Sequence, residues 1–566
     1  MGWSRLEDVR AWSASNLAPI SRRRARGDAS GRPTGPRMIR VSAFWLLVAV
    51  LSAYASKDWF KSLCALIILM AIIEHPDVPT KVFGVQGLNP FNLLLLAVVV
   101  GWATSRKREG LSWDMPSHIT TLIVLYFAVV VISFFRMLLD RRGLPPAEFT
   151  TATMWSEYLI NTVKWVVPGL LVFDGCRTPE RQRLAAWSIA GIYFLLAVQV
   201  IKWMPLEFAS SEDMASRAAK IMLNEIGYSR VTMSMMLGGG AWACLSLMPL
   251  VSRWRFRLLL LVSFAAVAYA QALTGGRMGY VTWAVVGILL GLLRWRRYLL
   301  MAPLLLVLVA MVVPSAVERM LQGFTTSNGG TVVNDYEVTS GRNIAWPLVI
   351  KKIAEAPVVG YGEQAMWRTG LAAKLGAESF SHPHNAYLEL LLDNGWMGFL
   401  AVVPFFFLVV WRAVGLLRTQ DNLCTAIGGM TLALVLALLV AGVGSQTFYP
   451  QDDGVGMWAA IGVMLRVSVE KRKALEGGLC FEDNQGATGA GVIGQGRLGK
   501  SRRRVAAAAY GSWAARRRRP ELGHSVLSPL AAERPPAKWP RTRLRVDGGP
   551  NEIRRFGRTG RHHRFT

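Results

Sequence analysis

Ile119-Thr120-Thr121-Leu122-Ile123-Val124-Leu125-Tyr126-Phe127-Ala128-Val129-Val130-Val131-Ile132-Ser133-Phe134-Phe135-Arg136-Met137-Leu138-Leu139 is a run of 21 residues that holds one charge, Arg136. Its length matches the hydrocarbon core of a bilayer, about 20 residues of helix. Inside lipid each spanning segment must satisfy its own backbone hydrogen bonds, so such a run is a helix. Similar blocks recur along the 566-residue chain, which is 52% hydrophobic and only 18% charged. The further spans read from them are Val41–Ala55, Phe60–Ile73, Leu88–Trp102, Leu159–Phe173, Leu184–Trp203, Val231–Val251, Phe256–Leu273, Tyr280–Leu293, Tyr298–Val313, Trp396–Trp411, Leu423–Val443 and Val455–Val467. The fold class is therefore an all-α polytopic integral membrane protein with about 12–13 transmembrane helices.

The formal net charge of +28 belongs mostly to the two ends. Residues 1–40 carry nine Arg against three acids, and residues 477–566 carry nineteen Lys and Arg against six acids. Between them lie an N-terminal transmembrane bundle (41–313), a long polar segment (314–394) and C-terminal transmembrane helices (395–476). The end segments read as basic arms against a lipid surface rather than as nucleic-acid-binding modules. Past Gly477 the composition is rich in Arg, Gly, Ala and Pro, and disorder is expected. That tail contains a phosphate-loop pattern, Gly494 to Ser501, and a dinucleotide-type pattern, Gly489 to Gly494. Neither follows a strand or opens an α/β domain, so both read as chance.

Lys and Arg set the orientation. Arg106 to Arg108, Arg177 with Arg181 and Arg183, Arg253 with Arg255 and Arg257, Arg294 with Arg296 and Arg297, and Arg412 with Arg418 fall in alternate connections. The positive-inside rule assigns these to the cytoplasm. The turn at Arg277, the 314–394 segment and the turn from Gly444 to Asp453 are then external. An odd number of spans would place the basic N-terminal arm outside as well. Either one early span is false, or the arm is not real and Met38, directly before the first span, is the start; the second is the expectation. Cys64, Cys176, Cys244, Cys424 and Cys480 show no metal or redox spacing, and no structural disulfide is expected.

A connection longer than about 15 residues is usually functional or disordered, and the 314–394 segment contains patterned sequence. It ends in Ser381-His382-Pro383-His384-Asn385-Ala386-Tyr387-Leu388-Glu389-Leu390-Leu391-Leu392-Asp393-Asn394-Gly395-Trp396-Met397-Gly398. Pro383 suits the first position of a helix, which would put His384 in the first turn. The positive end of the helix would keep that imidazole neutral and able to accept a proton. Asn385 and Glu389, four apart, would share a face. Two blander readings stand beside this one. His384 could be only a cap at a membrane interface, or His382 and His384 could join Asp393 or Glu389 around a metal.

The segment resembles the O-antigen ligase and polymerase superfamily of bacterial envelope glycan enzymes. In that family a His-Asn...Leu-Glu...Gly...Gly segment closes a large periplasmic loop and enters the next span. Leu273-Thr274-Gly275-Gly276-Arg277-Met278-Gly279-Tyr280 resembles the family's Ser-Arg-Gly-type turn, with Thr-Gly-Gly before the arginine where Ser is common. Thr339-Ser340-Gly341-Arg342-Asn343-Ile344-Ala345-Trp346 resembles its Ser-Gly-Arg...Trp segment. Ala356-Pro357-Val358-Val359-Gly360-Tyr361-Gly362 resembles its Pro-Leu-X-Gly-X-Gly element. The ordered set spans roughly residues 231–466.

The resemblance implies a GT-C-like membrane glycosyltransferase without cofactor, metal or nucleotide. It would move a glycan from undecaprenyl diphosphate to a glycan or lipid acceptor, as an O-antigen ligase or an exopolysaccharide or O-antigen polymerase. The place would be the bacterial inner membrane, with a periplasmic active face. His384, Arg277 and Arg342 are the expected catalytic residues, with His382, Asn385 and Glu389 binding or orienting. The arginines fit independently, because guanidinium binds phosphate in bidentate fashion. Arg277 as a snorkelling helix-end charge and Arg342 as an ordinary loop charge are the plain alternatives. A polysaccharide transporter or flippase is the competing function. It would concentrate ionisable groups at mid-membrane, where Lys164 is the main one.

Overall fold

The computed structural model describes residues 35–79, 81–82, 85–204, 214–301, 341–376 and 380–486, with 307 and 311. The protein is helical, with one two-strand hairpin, Lys81–Val82 against Val85–Gln86. In chain order the main helices are α1 Gly35–Tyr54, α2 Trp59–Ile73, α3 Pro90–Arg108, α4 Ser117–Leu139, α5 Val167–Gly175 and α6 Pro179–Trp203. They continue as α7 Met214–Ile221, α8 Arg230–Ser246, α9 Trp254–Leu273 and α10 Arg277–Leu293. After these come α11 Arg342–Glu355, α12 Ala365–Arg368, α13 Leu371–Leu375, α14 Ala386–Leu417, α15 Asn422–Ala441 and α16 Val455–Gly486.

Among the described residues six helical segments are long and apolar enough to cross a membrane: α4, α6, α8 extended to Leu250, α9, α14 and α15. Ile39–Tyr54, α2 and α10 are shorter apolar helices. This is a polytopic membrane architecture. The expected span Tyr298–Val313 lies mostly outside the described residues, as do the two glycine-rich patterns of the tail. The expected span Leu159–Phe173 is not one helix. A π-helical turn, Met154–Ile160, and a short α-turn, Asn161–Lys164, precede α5, whose second residue is Pro168. Proline has no N–H to give the preceding turn, and its ring crowds the backbone there. At the other end of the chain, α16 runs through Gly477, where disorder is expected, to Gly486.

The centre of the bundle is α8, packed on α9, α10 and α15, while α14 packs on α4 and α15, and α16 on α5. Gly238, Gly239 and Gly240 allow the approach. A Cβ on Gly239 would stand 2.7 Å from the Ala437 Cβ, and one on Gly240 would stand 2.4 Å from the Tyr193 ring. In lipid, helices associate largely through such close packing of small residues.

One end of the bundle is tied by ions. Asp174 meets Arg106 and Arg177, and Asp114 meets Arg177, Arg466 and Lys473. These are basic connections that the positive-inside reading places together. Helices α9, α15 and α16 each have one end on the basic side, so the turns at Arg277 and at 442–454 lie at the opposite end.

At that opposite end α14 is broken. Gly395 has φ 59 and ψ −163, which is not helical, so residues 386–394 form a short helix before the span proper. The break frees backbone groups, and the Pro357–Gly362 turn takes them. Tyr361 N donates to Leu392 O (2.9 Å), Gly362 N to Asp393 O (2.6 Å), Trp396 N to Pro357 O (2.8 Å) and Met397 N to Val358 O (3.0 Å). Gly360, with φ +59, lies so close that a Cβ would fall 2.6 Å from Leu392 O.

Gly360→Ala is therefore expected to cost the left-handed backbone penalty, about 1–2 kcal/mol, and a clash with rigid backbone in addition. Gly370 has φ +74 and nothing within 4 Å of a built Cβ, so Gly370→Ala carries the backbone penalty alone. Thermal unfolding of both variants in the same detergent should show the lower midpoint for Gly360→Ala. Equal midpoints would contradict this packing.

Candidate functional site

The sequence places Arg277, Arg342 and His384 far apart in the chain, and the turn Gly442–Thr447 brings their segments together. Arg277 opens α10 behind Gly276, and the next residue, Met278, packs on Gly444, where a Cβ would fall 2.1 Å from the Met278 Cγ. Ser234 of α8 fixes the Arg277 turn by donating to Gly276 O (3.2 Å). The Thr274 hydroxyl accepts from Gly276 N (3.4 Å), a local bond of the kind that shapes such turns. Arg342 opens α11, and its Nη2 donates to Gly444 O. On the histidine segment, Ala386 N donates to Gly442 O (2.7 Å), and the His384 Nδ1 stands 3.5 Å from the Ser445 Oγ. Trp346 of α11 donates to Pro383 O (3.0 Å) and joins the arginine helix to the histidines.

The expected helix start at Pro383 is corrected. α14 begins at Ala386 and its N-cap is Asn385, whose side chain accepts from Tyr387 N (3.0 Å) and Leu388 N (3.1 Å). An asparagine cap satisfies two orphan N–H groups, which a start at Pro383 would leave to other partners. Asn385 is thus a cap and not a helix-face partner of Glu389, whose carboxyl instead meets the Thr447 hydroxyl. His384 lies before the helix with φ 52. Left-handed backbone is uncommon for a residue with a Cβ, and such strain gathers at functional positions.

The two histidine rings stand 4.1 Å apart, and the Phe380 ring borders His384 at 5.8 Å. Burial, then the charges of His384 and Arg342, push the His382 imidazole down to about 3. So weak a base is a poor acceptor near neutral pH, which leaves His382 as a neutral neighbour. Asp393, which a His-X-His metal site could recruit, is engaged elsewhere. It accepts from Ala365 N (3.2 Å) and from the Tyr449 hydroxyl (3.0 Å). Among the described residues no group of three His, Cys, Asp or Glu side chains is arranged to hold a metal ion.

Two features on the arginine side point to an anion. Both helices that the arginines open lack a side-chain cap, since their N-cap residues are Gly276 and Gly341. A helix N-terminus without a side-chain cap carries partial positive charge. Arg342 is also recessed with its Nε buried and without a hydrogen-bond partner. Burial, and then the charge of Arg277, lower its pKa, so the two guanidinium groups are near enough to repel.

Residues 261–403 match the family model described as O-antigen ligase. The chain carries an O-antigen ligase domain. The match bears out the resemblance read from the motifs and, with the membrane-spanning helices, supports a membrane enzyme of the O-antigen ligase or polymerase type. No curated protein matches the chain. Within the matched residues lie Arg277, Arg342, His382, His384, Asn385 and Glu389, with the packing of Gly360 on Leu392 to Asn394 and of Gly395 on Pro357 and Val358. The turn that gathers them, Gly442–Thr447, lies beyond the matched residues. Sequence reasoning treated that turn as a simple connection, because Gly442, Val443 and Gly444 carry no chemistry of their own. Ser445 was missed for the same reason, whereas Trp346 was read only as part of the Ser-Gly-Arg...Trp segment, without its bond to Pro383 O.

Proposed function

We propose that the protein transfers a glycan from undecaprenyl diphosphate to a glycan or lipid acceptor on the periplasmic side of the bacterial inner membrane. The observation that carries this reading is the pairing of two arginines with two uncapped helix N-termini, next to an imidazole. Arg277 and Arg342 hold the diphosphate, and His384 is the base. The acceptor hydroxyl loses its proton to the His384 Nε2, the ring nitrogen away from Ser445. Its oxygen attacks the anomeric carbon from the face opposite the diphosphate. The bond from that carbon to the diphosphate oxygen breaks, and the electron pair leaves on the lipid diphosphate. The anomeric configuration inverts, and no metal takes part. His382 and Glu389 bind or orient the substrate, and Asn385 caps the helix that carries Glu389.

This chemistry fits the end of the bundle opposite the Arg106, Arg177 and Arg466 ion pairs, which the positive-inside rule makes periplasmic. Lys164, the residue that a transport reading would use, stacks its ammonium on the Trp165 ring (4.2 Å). The deciding experiment compares envelope glycans in a strain lacking the gene. Loss of long chains with single repeats retained identifies a polymerase. Long chains stranded on the carrier lipid identify a ligase. Unaltered glycans in the deletion strain contradict both.

A further inference from the structure

The Pro357–Gly362 turn presents Val358 and Val359 away from the protein. Val358 is 58% exposed and Val359 is 49% exposed. Hydrogen bonds from Trp396 N to Pro357 O and from Met397 N to Val358 O hold these valines beside α14. There Trp396 and Met397 are also more than half exposed, at the head of the exposed apolar stripe that continues to Leu400 and Phe407. On the other side stands the end of α4, with Phe135 and Leu139 exposed. The turn therefore continues the lipid-facing surfaces of two candidate spans.

Its backbone is prepared for the same surroundings. Lipid offers no hydrogen bonds, so an irregular segment can approach it only if protein satisfies the backbone. Here the carbonyls of Pro357 and Val358 accept from α14, and those of Val359 and Gly360 accept from the Arg136 guanidinium. Four successive carbonyls are paired, on a turn whose outward side chains are valines. A solvent-facing loop needs no such arrangement, since water would serve. Trp396 beside it is the residue type that marks a membrane–water boundary.

We propose that this turn is a lipid-inserted wedge, with Val358 and Val359 dipping into the headgroup–acyl boundary of the leaflet on the side of the Arg277 turn. The wedge would fix the depth of the 341–376 segment against the bilayer surface. The inference rests on the spans and the turn, and stands independently of the transfer chemistry.

The test uses the full chain in phosphatidylethanolamine and phosphatidylglycerol vesicles, with Cys480 replaced by serine. A nitroxide is attached at Val359→Cys, at Val358→Cys, or at Arg142→Cys, whose parent side chain is 90% exposed near the end of α4. Collision of the label with lipid-soluble oxygen is compared with collision with a water-soluble nickel chelate. The wedge predicts that oxygen dominates at both valine positions and the chelate at position 142. Chelate dominance at both valines would overturn it. So would labels that neither reagent reaches, which would mean protein covers the turn.

Discussion

His384→Ala is expected to lower the single-turnover rate of glycan transfer by about 10²–10⁴-fold, the usual contribution of a general base. The structure changes the argument for this histidine, whose role as base is the proposal under test. A position inside the first helical turn would have kept the imidazole neutral through the helix dipole. His384 instead stands outside the helix with φ 52, beside Ser445 and against the His382 ring. The protein thus holds it in left-handed backbone, and such strain gathers at functional positions. Alanine should insert and fold, because the helix cap belongs to Asn385. Asn385→Ala removes that cap, and its expected cost is roughly 1 kcal/mol of stability. Purified lipid-linked donor and matched protein levels provide the measurement. A His384→Ala rate within about threefold of wild type, far short of the general-base range, would reduce the histidine to a lining residue.

The spans could be read from sequence because lipid imposes a one-dimensional rule. Ile119–Leu139 must be helical whatever surrounds it, and α4 covers that stretch. The broken helix at Gly395 was partly visible too, since the expected span began at Trp396, directly after the break. Its cause was not visible. The Pro357–Gly362 turn supplies the missing backbone partners from more than 30 residues away, by order of magnitude a loop too long for local patterns to join. The start of α14 was misread because a proline and an asparagine two residues apart compete for the same boundary. Asparagine wins by bonding two N–H groups at once. The turn that joins the site segments was hidden in a stretch with little chemistry. Gly442 and Gly444 contribute carbonyls to Ala386 N and to Arg342, and any residue type has a carbonyl. What singles out Gly444 is the space it leaves for Met278, a fact of packing and not of pattern.

Arg342→Lys and Arg277→Lys should each lose most of the transfer rate, although both keep the positive charge. In the proposed mechanism Arg342 has two tasks at once. Its Nη2 holds Gly444 O, and its buried Nε has no protein partner and can meet an anion. A lysine ammonium is a single point and cannot reach a carbonyl on one side while presenting a fixed donor on the other. Arg277 stands at an uncapped helix start, where the planar fork of a guanidinium matches two phosphate oxygens. Negative charge on the diphosphate grows as its bond to sugar breaks. Fixed donors at that point therefore act more on the reaction than on ground-state binding. Loss of one such donor typically costs about 10²–10³-fold in kcat, and the donor KM should move less. Circular dichroism and detergent elution volume should match wild type for Arg277→Lys. For Arg342→Lys the lost bond to Gly444 also loosens the turn, so its melting midpoint should fall. Full transfer by both lysine variants would remove the arginines from the diphosphate. A fall in rate that appears only where the melting midpoint also falls would make Arg342 a brace for the Gly442–Thr447 turn.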